Sequence, residues 1–196
     1  MKSNLRFTLG STGMQRRSFL QLTLAAPALA YSLPSIGAGT RLPKKSVLVR
    51  AGQDRTGQPF QFLEATFTVK VSGKDNGGAC VIFDTVRPEK VGPPLHVHKQ
   101  LDEWFYVLEG EFKFQAGEDT MRLRAGDSLF VPREMAHAFV KTSEGVARLI
   151  VMHQPAGTME EYFRAVSKLP DQSPEARKKM AAEHDTLLIG PPLKPD

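Results

Sequence analysis

One cysteine, Cys80, is present in 196 residues, so no internal disulfide can hold the chain together and no second thiol can resolve an oxidised sulfur. Missing too is an apolar run of the ~20 residues that cross a bilayer. The longest stretch near the start, Phe19 to Leu29, has 11 residues. No surface stretch clusters basic with aromatic residues, which argues against a nucleic-acid partner. A helical period is absent before about residue 159, which excludes a bundle and leaves short strands to build the core.

Acid is missing from the first 30 residues, which carry Lys2, Arg6, Arg16 and Arg17. A basic start, a short apolar run and the small-residue site Ala28-Leu29-Ala30 predict a signal peptide over residues 1–30. Arg16-Arg17-Ser18-Phe19-Leu20 resembles a twin-arginine export signal, and export to the periplasm or medium is therefore expected. Cleavage there leaves 22 basic and 21 acidic residues, a net charge of +1, so the basic character of the full chain belongs mainly to its signal. No membrane span is expected to remain. Residues 31–45, rich in Pro, Gly and Ser, read as a flexible leader.

From Val47 to His153 the chain reads as short strands between turn residues, the pattern of an all-β closed barrel or jelly roll. The expected strands are Val47–Arg50, Gln61–Val71, Cys80–Val86, Leu95–His98, Trp104–Glu109, Glu111–Gln115, Met121–Arg124, Ser128–Val131, His137–Lys141 and Val146–His153. In the second of these, Leu63, Ala65, Phe67, Val69 and Val71 form the candidate core face. Asn76-Gly77 signals a hairpin, and Cys80 is expected buried on the strand that follows. Thr158 with Glu160 and Glu161 predicts a helix start, with Thr158 as cap; Ser173-Pro174 predicts a second start. The apolar Leu187 to Pro192 is expected to pack back on the barrel mouth.

The stretch GPPLHVHKQLDEWFYVLEG, residues 92–110, carries the chemistry. His96 and His98 stand two apart on a strand, so both imidazoles leave the same face, with Cα atoms ~6 to 7 Å apart. A reversal over Lys99 to Asp102 returns the carboxylate of Glu103 toward them. His137, closing the block GDSLFVPREMAH, is the candidate fourth ligand. If these four point inward, alternation carries Phe105, Val107 and Phe139 inward as pocket lining and turns Trp104, Tyr106 and Leu108 out. His153 and His184 lack such partners and read as structural or surface residues.

These intervals resemble both motifs of the cupin superfamily: His96, His98, Glu103 and Gly110 fit the first, Gly126, Pro132 and His137 the second. Glu134 and Lys141 depart from it, standing where glycine and asparagine are usual; Lys141 is expected to reach solvent or Glu134. The resemblance implies a jelly-roll barrel over residues 46–155, followed by a helical tail over 156–196. It further implies one divalent transition ion (Fe, Mn, Ni, Co, Cu or Zn) on His96, His98, Glu103 and His137. The softer likeness of the tail to quercetin-dioxygenase-like bacterial cupins implies an oxidoreductase using dioxygen on a small phenolic or enolisable substrate, with Glu103 as base. A non-catalytic ligand-binding protein and a metal-dependent isomerase or lyase are the alternatives. A homodimer is expected from family habit and from Trp104 and Tyr106 on the outer face.

Overall fold

The structure, a computed structural model, describes residues 45–195; the expected signal peptide and all of the leader except Lys45 lie outside the described residues. Two antiparallel sheets make up the domain. In spatial order the first holds β1 (Phe60–Phe62), β2 (Ala65–Val71), β3 (Val81–Arg87), β10 (Ala147–Gln154), β5 (Asp102–Glu109) and β8 (Ser128–Val131). The second holds β11 (Leu187–Pro192), β4 (Pro94–Val97), β9 (His137–Lys141), β6 (Glu111–Ala116) and β7 (Asp119–Arg124). Helices α1 (Met159–Val166) and α2 (Pro174–Glu183) join β10 to β11. Among the described residues no helix is long and apolar enough to cross a membrane.

Period-two alternation decides which side chains meet between the sheets. Strand β5 buries Glu103, Phe105 and Val107, and β10 buries Ala147, Leu149, Val151 and His153. Phe112 and Phe114 of β6 and Phe139 of β9 close on them from the other sheet. Each of the valine, leucine and phenylalanine side chains among them contributes about 1.5–3 kcal/mol on burial. A second core joins Phe60, Phe67 and Phe83 to Met159, Tyr162, Phe163 and Val166 of α1. Those four helix positions follow the i, i+3, i+4, i+7 stripe that one helix face presents, so α1 lies across β1 to β3.

Two glycines are required by close approach. A Cβ on Gly92 would sit 1.7 Å from the carbonyl oxygen of Phe139, so only glycine lets the loop before β4 pass over β9. Gly110, at φ 80°, turns β5 into β6 where a Cβ would meet that of Ala147 at 2.6 Å.

Several expectations are corrected. Val47–Arg50 forms no strand, having no neighbour among the described residues to pair with. The expected strand Gln61–Val71 breaks at Leu63, which takes φ 53° and folds β1 back on β2; Leu63 is thereby exposed, while Ala65, Phe67 and Val69 are buried. Asn76-Gly77 does lie between paired strands, but within a longer connection that opens with a 3-10 turn over Gly73–Asp75. Cys80 precedes β3 and is only half-buried, its carbonyl accepting from the Asn76 side chain at 2.9 Å. The Thr158 hydroxyl does not cap α1; it meets His184 Nδ1 at 2.8 Å. Ser173 does cap α2, accepting from Ala176 N, with Pro174 at the first position.

Lys141 reaches neither solvent nor Glu134. It is 1% exposed and donates to the carbonyls of Arg87, Pro88 and Gly145, tying the loop after β3 to the turn before β10. Glu134 sits at φ 69°, the left-handed region that a glycine would adopt without strain. The final apolar stretch is a strand, and an edge strand at that, where its two prolines cost no ladder bond toward solvent.

Candidate metal centre

The two sheets face each other across a polar cluster in an otherwise apolar interior. From one sheet come His96 on β4 and His137 on β9, directly paired in register; from the other come Glu103 on β5 and His153 on β10, also paired. His98 follows the end of β4 where the chain bends toward β5. All five are between 1 and 6% exposed. The ligand atoms of His96, His98, Glu103 and His137 lie within 4.8 Å of one another. The resemblance-based set therefore converges.

Short polar ties hold the pieces in place. Arg133, just before His137, donates from Nε, Nη2 and its main-chain N–H to Asp102, which pins the β8–β9 turn to the start of β5. Those bonds hold the Asp102 carboxyl down at about 2. The N–H of Glu134 donates to the carbonyl of His98 at 2.6 Å. From the far end of the chain, Asp185 accepts from the main-chain N–H groups of Lys99 and Gln100 at 3.1 and 2.9 Å.

Main-chain carbonyls settle the imidazole tautomers. Nδ1 of His96 lies 2.9 Å from the oxygen of Pro94, that of His98 2.8 Å from Asp185, and that of His137 2.9 Å from Met135. A carbonyl only accepts, so each Nδ1 carries the proton and each neutral ring keeps a lone pair on Nε2. Those lone pairs point at a carboxylate: Glu103 Oε2 is 2.8 Å from His137 Nε2, 3.3 Å from His98 Nε2 and 3.9 Å from His96 Nε2. Acceptors facing acceptors need a cation or extra protons between them. His98 Nε2 is buried with no hydrogen-bond partner. Bonds of about 2.0–2.2 Å to one ion place opposed ligands up to about 4.0–4.4 Å apart, within a small side-chain rotation of the observed spread. The donor set fits a divalent transition ion.

Burial works against charge here, and the neighbours decide the outcome. Burial alone would raise the Glu103 carboxyl, but His153, His137 and His98 outweigh it and hold the group well below its usual range. Burial pushes His96 well down, reinforced by His137 and His98. Burial also lowers His153, which Glu103 only partly opposes. His98 is raised, because Glu103 and the Asp185 carbonyl overcome the effect of its burial.

His153, read from sequence as structural or surface, belongs to the cluster. Its Nε2 lies 3.2 Å from Glu103 Oε1, outside hydrogen-bonding geometry, and both ring nitrogens are buried without a partner. The signal was present: Leu149, Val151 and His153 share one face of the strand on which they were placed. Phe139 lines the cavity above the cluster, but Phe105 and Val107 do not; they lie in the core between the two sheets, Phe105 6.2 Å behind the His137 ring. His184 is half-buried at the end of α2, away from the cluster's contacts.

The cavity runs from the cluster outward between the sheets and α1, with an empty volume of about 780 Å³, its open mouth included. Phe67, Phe139, Phe163, Tyr162, Met159 and Leu188 supply much of its wall. Arg87 and Arg177 also face it, and Glu103 is the one acidic residue among those lining it.

Residues 83–153 match the family described as Cupin domain. A 60-residue stretch is 32% identical to the polyketide synthase CurC of Streptomyces cyaneus, covering 31% of this chain and 39% of that protein, so the match spans well under half the relative's length. Among solved structures, an RmlC-like cupin from Shewanella frigidimarina is 21% identical with a TM-score of 0.48, over 57% of this chain and 93% of the other. A predicted oxalate decarboxylase from Thermotoga maritima is 18% identical with a TM-score of 0.45, over 46% and 80%. The polyketide cyclase RemF of Streptomyces resistomycificus is 24% identical with a TM-score of 0.41, over 46% and 65%. The fold is that of the cupins, with a buried three-histidine, one-glutamate cluster of metal-binding type.

Proposed function

We propose that this cupin-fold protein is a metal-dependent oxidoreductase, a dioxygenase of the quercetinase-like kind, acting on a small phenolic or enolisable substrate. The observation that carries the reading is the set of three imidazole lone pairs, fixed by Nδ1–H bonds to carbonyls, meeting Glu103 at the closed end of an aromatic-walled cavity. His96, His98, His137 and Oε2 of Glu103 would hold the ion. When bound, such an ion supplies Lewis acidity, which lowers the pKa of an enol or phenol hydroxyl, and a redox-active one gives access to dioxygen.

The chain's own groups do the rest. Oε1 of Glu103 is turned away from the three ligand imidazoles toward His153, so it is the oxygen left to take a proton from the substrate hydroxyl. Phe67, Phe139 and Phe163 give flat faces against which a planar ring stacks, and α1 shields the cavity from water. Metal analysis of the purified protein, followed by oxygen-uptake assays on a flavonol and simpler enolisable phenols, tests the proposal. Glu103→Gln separates the roles of the carboxylate: retained metal with lost rate makes it a base, and loss of both makes it a ligand. No bound metal, or no uptake with any enolisable phenol, rejects the dioxygenase reading.

A second reading is an isomerase, lyase or cyclase that uses the same site without oxygen. It draws on the partial match to a polyketide synthase and on the buried Glu103–His153 pair. Product formed without oxygen uptake would establish it. We also propose that the mature protein acts outside the cytoplasm, exported by the twin-arginine route; a mature N-terminus near Tyr31 in the exported fraction is the expected result.

A further inference from the structure

The cavity contains a buried cation that neither the metal cluster nor the fold uses fully. Arg87, at the end of β3, is 3% exposed and lines the same cavity as His96, His98 and Glu103. Its Nε donates to Thr85 Oγ1 at 3.2 Å and its Nη1 to Glu64 Oε1 at 3.0 Å. Thr85 is itself fixed by donating to the carbonyl of Leu149 at 2.8 Å. The guanidinium carbon lies 4.7 Å from the ring centroid of Phe139 and 5.6 Å from that of Phe67. Two hydrogen bonds and two aromatic faces thus hold the planar group in one orientation. Among the described residues Nη2 makes no further hydrogen bond, so its two N–H groups are left for another acceptor, in a cavity whose walls are largely apolar.

A buried guanidinium with free donors calls for an oxygen acceptor. Two features select an anionic one. Arg87 is balanced by Glu64, whereas Arg177, at the same cavity, donates to the neutral Gln172 at 3.0 and 2.7 Å and so brings the cavity a positive charge beyond that pair. The one acidic side chain in the lining, Glu103, is already surrounded by imidazoles. We infer that Arg87 is the substrate-recognition residue of this site, and that its ligand is a carboxylate carried on a flat apolar body. This deepens, and rests on, the reading of the cavity as a substrate site. The substrate class narrows to an aromatic or otherwise enolisable carboxylic acid, its carboxylate on Nη2 and its ring between the phenylalanines.

The pair of probes is benzoate and benzamide, nearly equal in shape and different in charge. Their dissociation constants are measured by calorimetry under nitrogen on the protein as purified with its metal, so that binding is read without turnover. A charge-assisted bond to a buried guanidinium gives benzoate an advantage of roughly tenfold or more. The double variant E64Q/R87Q removes both members of the ion pair and leaves the cavity's net charge unchanged. It should lower the benzoate-to-benzamide preference roughly tenfold. R87K, which keeps the charge but not the planar fork, should fall between.

Equal affinity of the two probes in the wild type overturns the inference, as does a preference that survives in both variants. Metal content is determined on the same samples. One ion per chain with an unchanged preference removes only the role of Arg87. A preference that falls with Arg87 in a protein holding no ion sustains Arg87 and removes the metal-dependent reading.

Discussion

Stripping the ion from the centre should cost this protein a large part of its stability, and the structure sets the scale. In the metal-free cluster, Nε2 of His98 is a buried acceptor with no donor, and Nε2 of His96 lies 3.9 Å from the nearest carboxylate oxygen, too far for a hydrogen bond. The buried His98 acceptor left in that state costs about 1–3 kcal/mol, and the His96 nitrogen, which faces the cavity, adds less. Mass action gives about 4 kcal/mol when free ion exceeds its dissociation constant a thousandfold. For a domain of this size 1 kcal/mol moves the melting temperature by about 2–4 °C, so about 4 kcal/mol corresponds to about 8–16 °C. Calorimetric melting before and after chelation, with back-titration of single metal ions, measures it. His137→Ala should melt at one temperature whatever ion is added, and acid should release the ion from the wild type as the imidazoles protonate. Coincident melting curves with and without chelator, from a protein that contained an ion, would refute the reasoning.

Other expectations concern the frame around the centre. Gly92→Ala should lower stability by more than about 3 kcal/mol, because its Cβ would overlap the Phe139 carbonyl at 1.7 Å and relief requires moving backbone; a denaturant midpoint within error of wild type contradicts this. Tyr162, on the buried face of α1, has its phenol pushed up by burial to about 12. Its stabilising contribution is complete below the unfolded value near 10 and declines as pH rises toward 12, by about 1.4 kcal/mol per unit, so alkaline melts should steepen over that window and Tyr162→Phe should flatten them. Glu134→Gly should leave stability within about 0.5 kcal/mol, whereas Glu134→Val should cost about 1–2 kcal/mol, since only the latter worsens the fit to φ 69°; equal effects would mean the turn relaxes freely.

What the sequence disclosed and what it hid divide along physical lines. His96, His98, Glu103 and His137 were readable because their spacing within local strands dictates a shared face. His153 was readable from alternation along β10, but its partner Glu103 stands 50 positions earlier, and only strand pairing brings the two together. Asp185 was not readable at all: its carbonyl fixes the His98 tautomer across 87 residues of chain. Arg87 falls just past the expected strand Cys80–Val86 and beside Pro88, and its burial depends on Glu64 from the β1–β2 turn and Phe139 from β9. Val47–Arg50 failed as a strand for the complementary reason, since a strand is defined by a neighbour and the local pattern cannot supply one. Leu187–Pro192 concealed its strand because proline masks an edge position.

The pairing of β11 with β4 has a consequence for the order of assembly. Strand β4 meets β9 at a single register pair, His96 with His137, and its other flank is covered by Leu187 and Leu188. During synthesis the histidines therefore leave the ribosome long before the segment that locks them. Until the turn before β11 arrives, His98 lacks the Asp185 carbonyl that orients it. Full closure of the four-residue cluster therefore waits for a segment made some 87 residues after its second histidine.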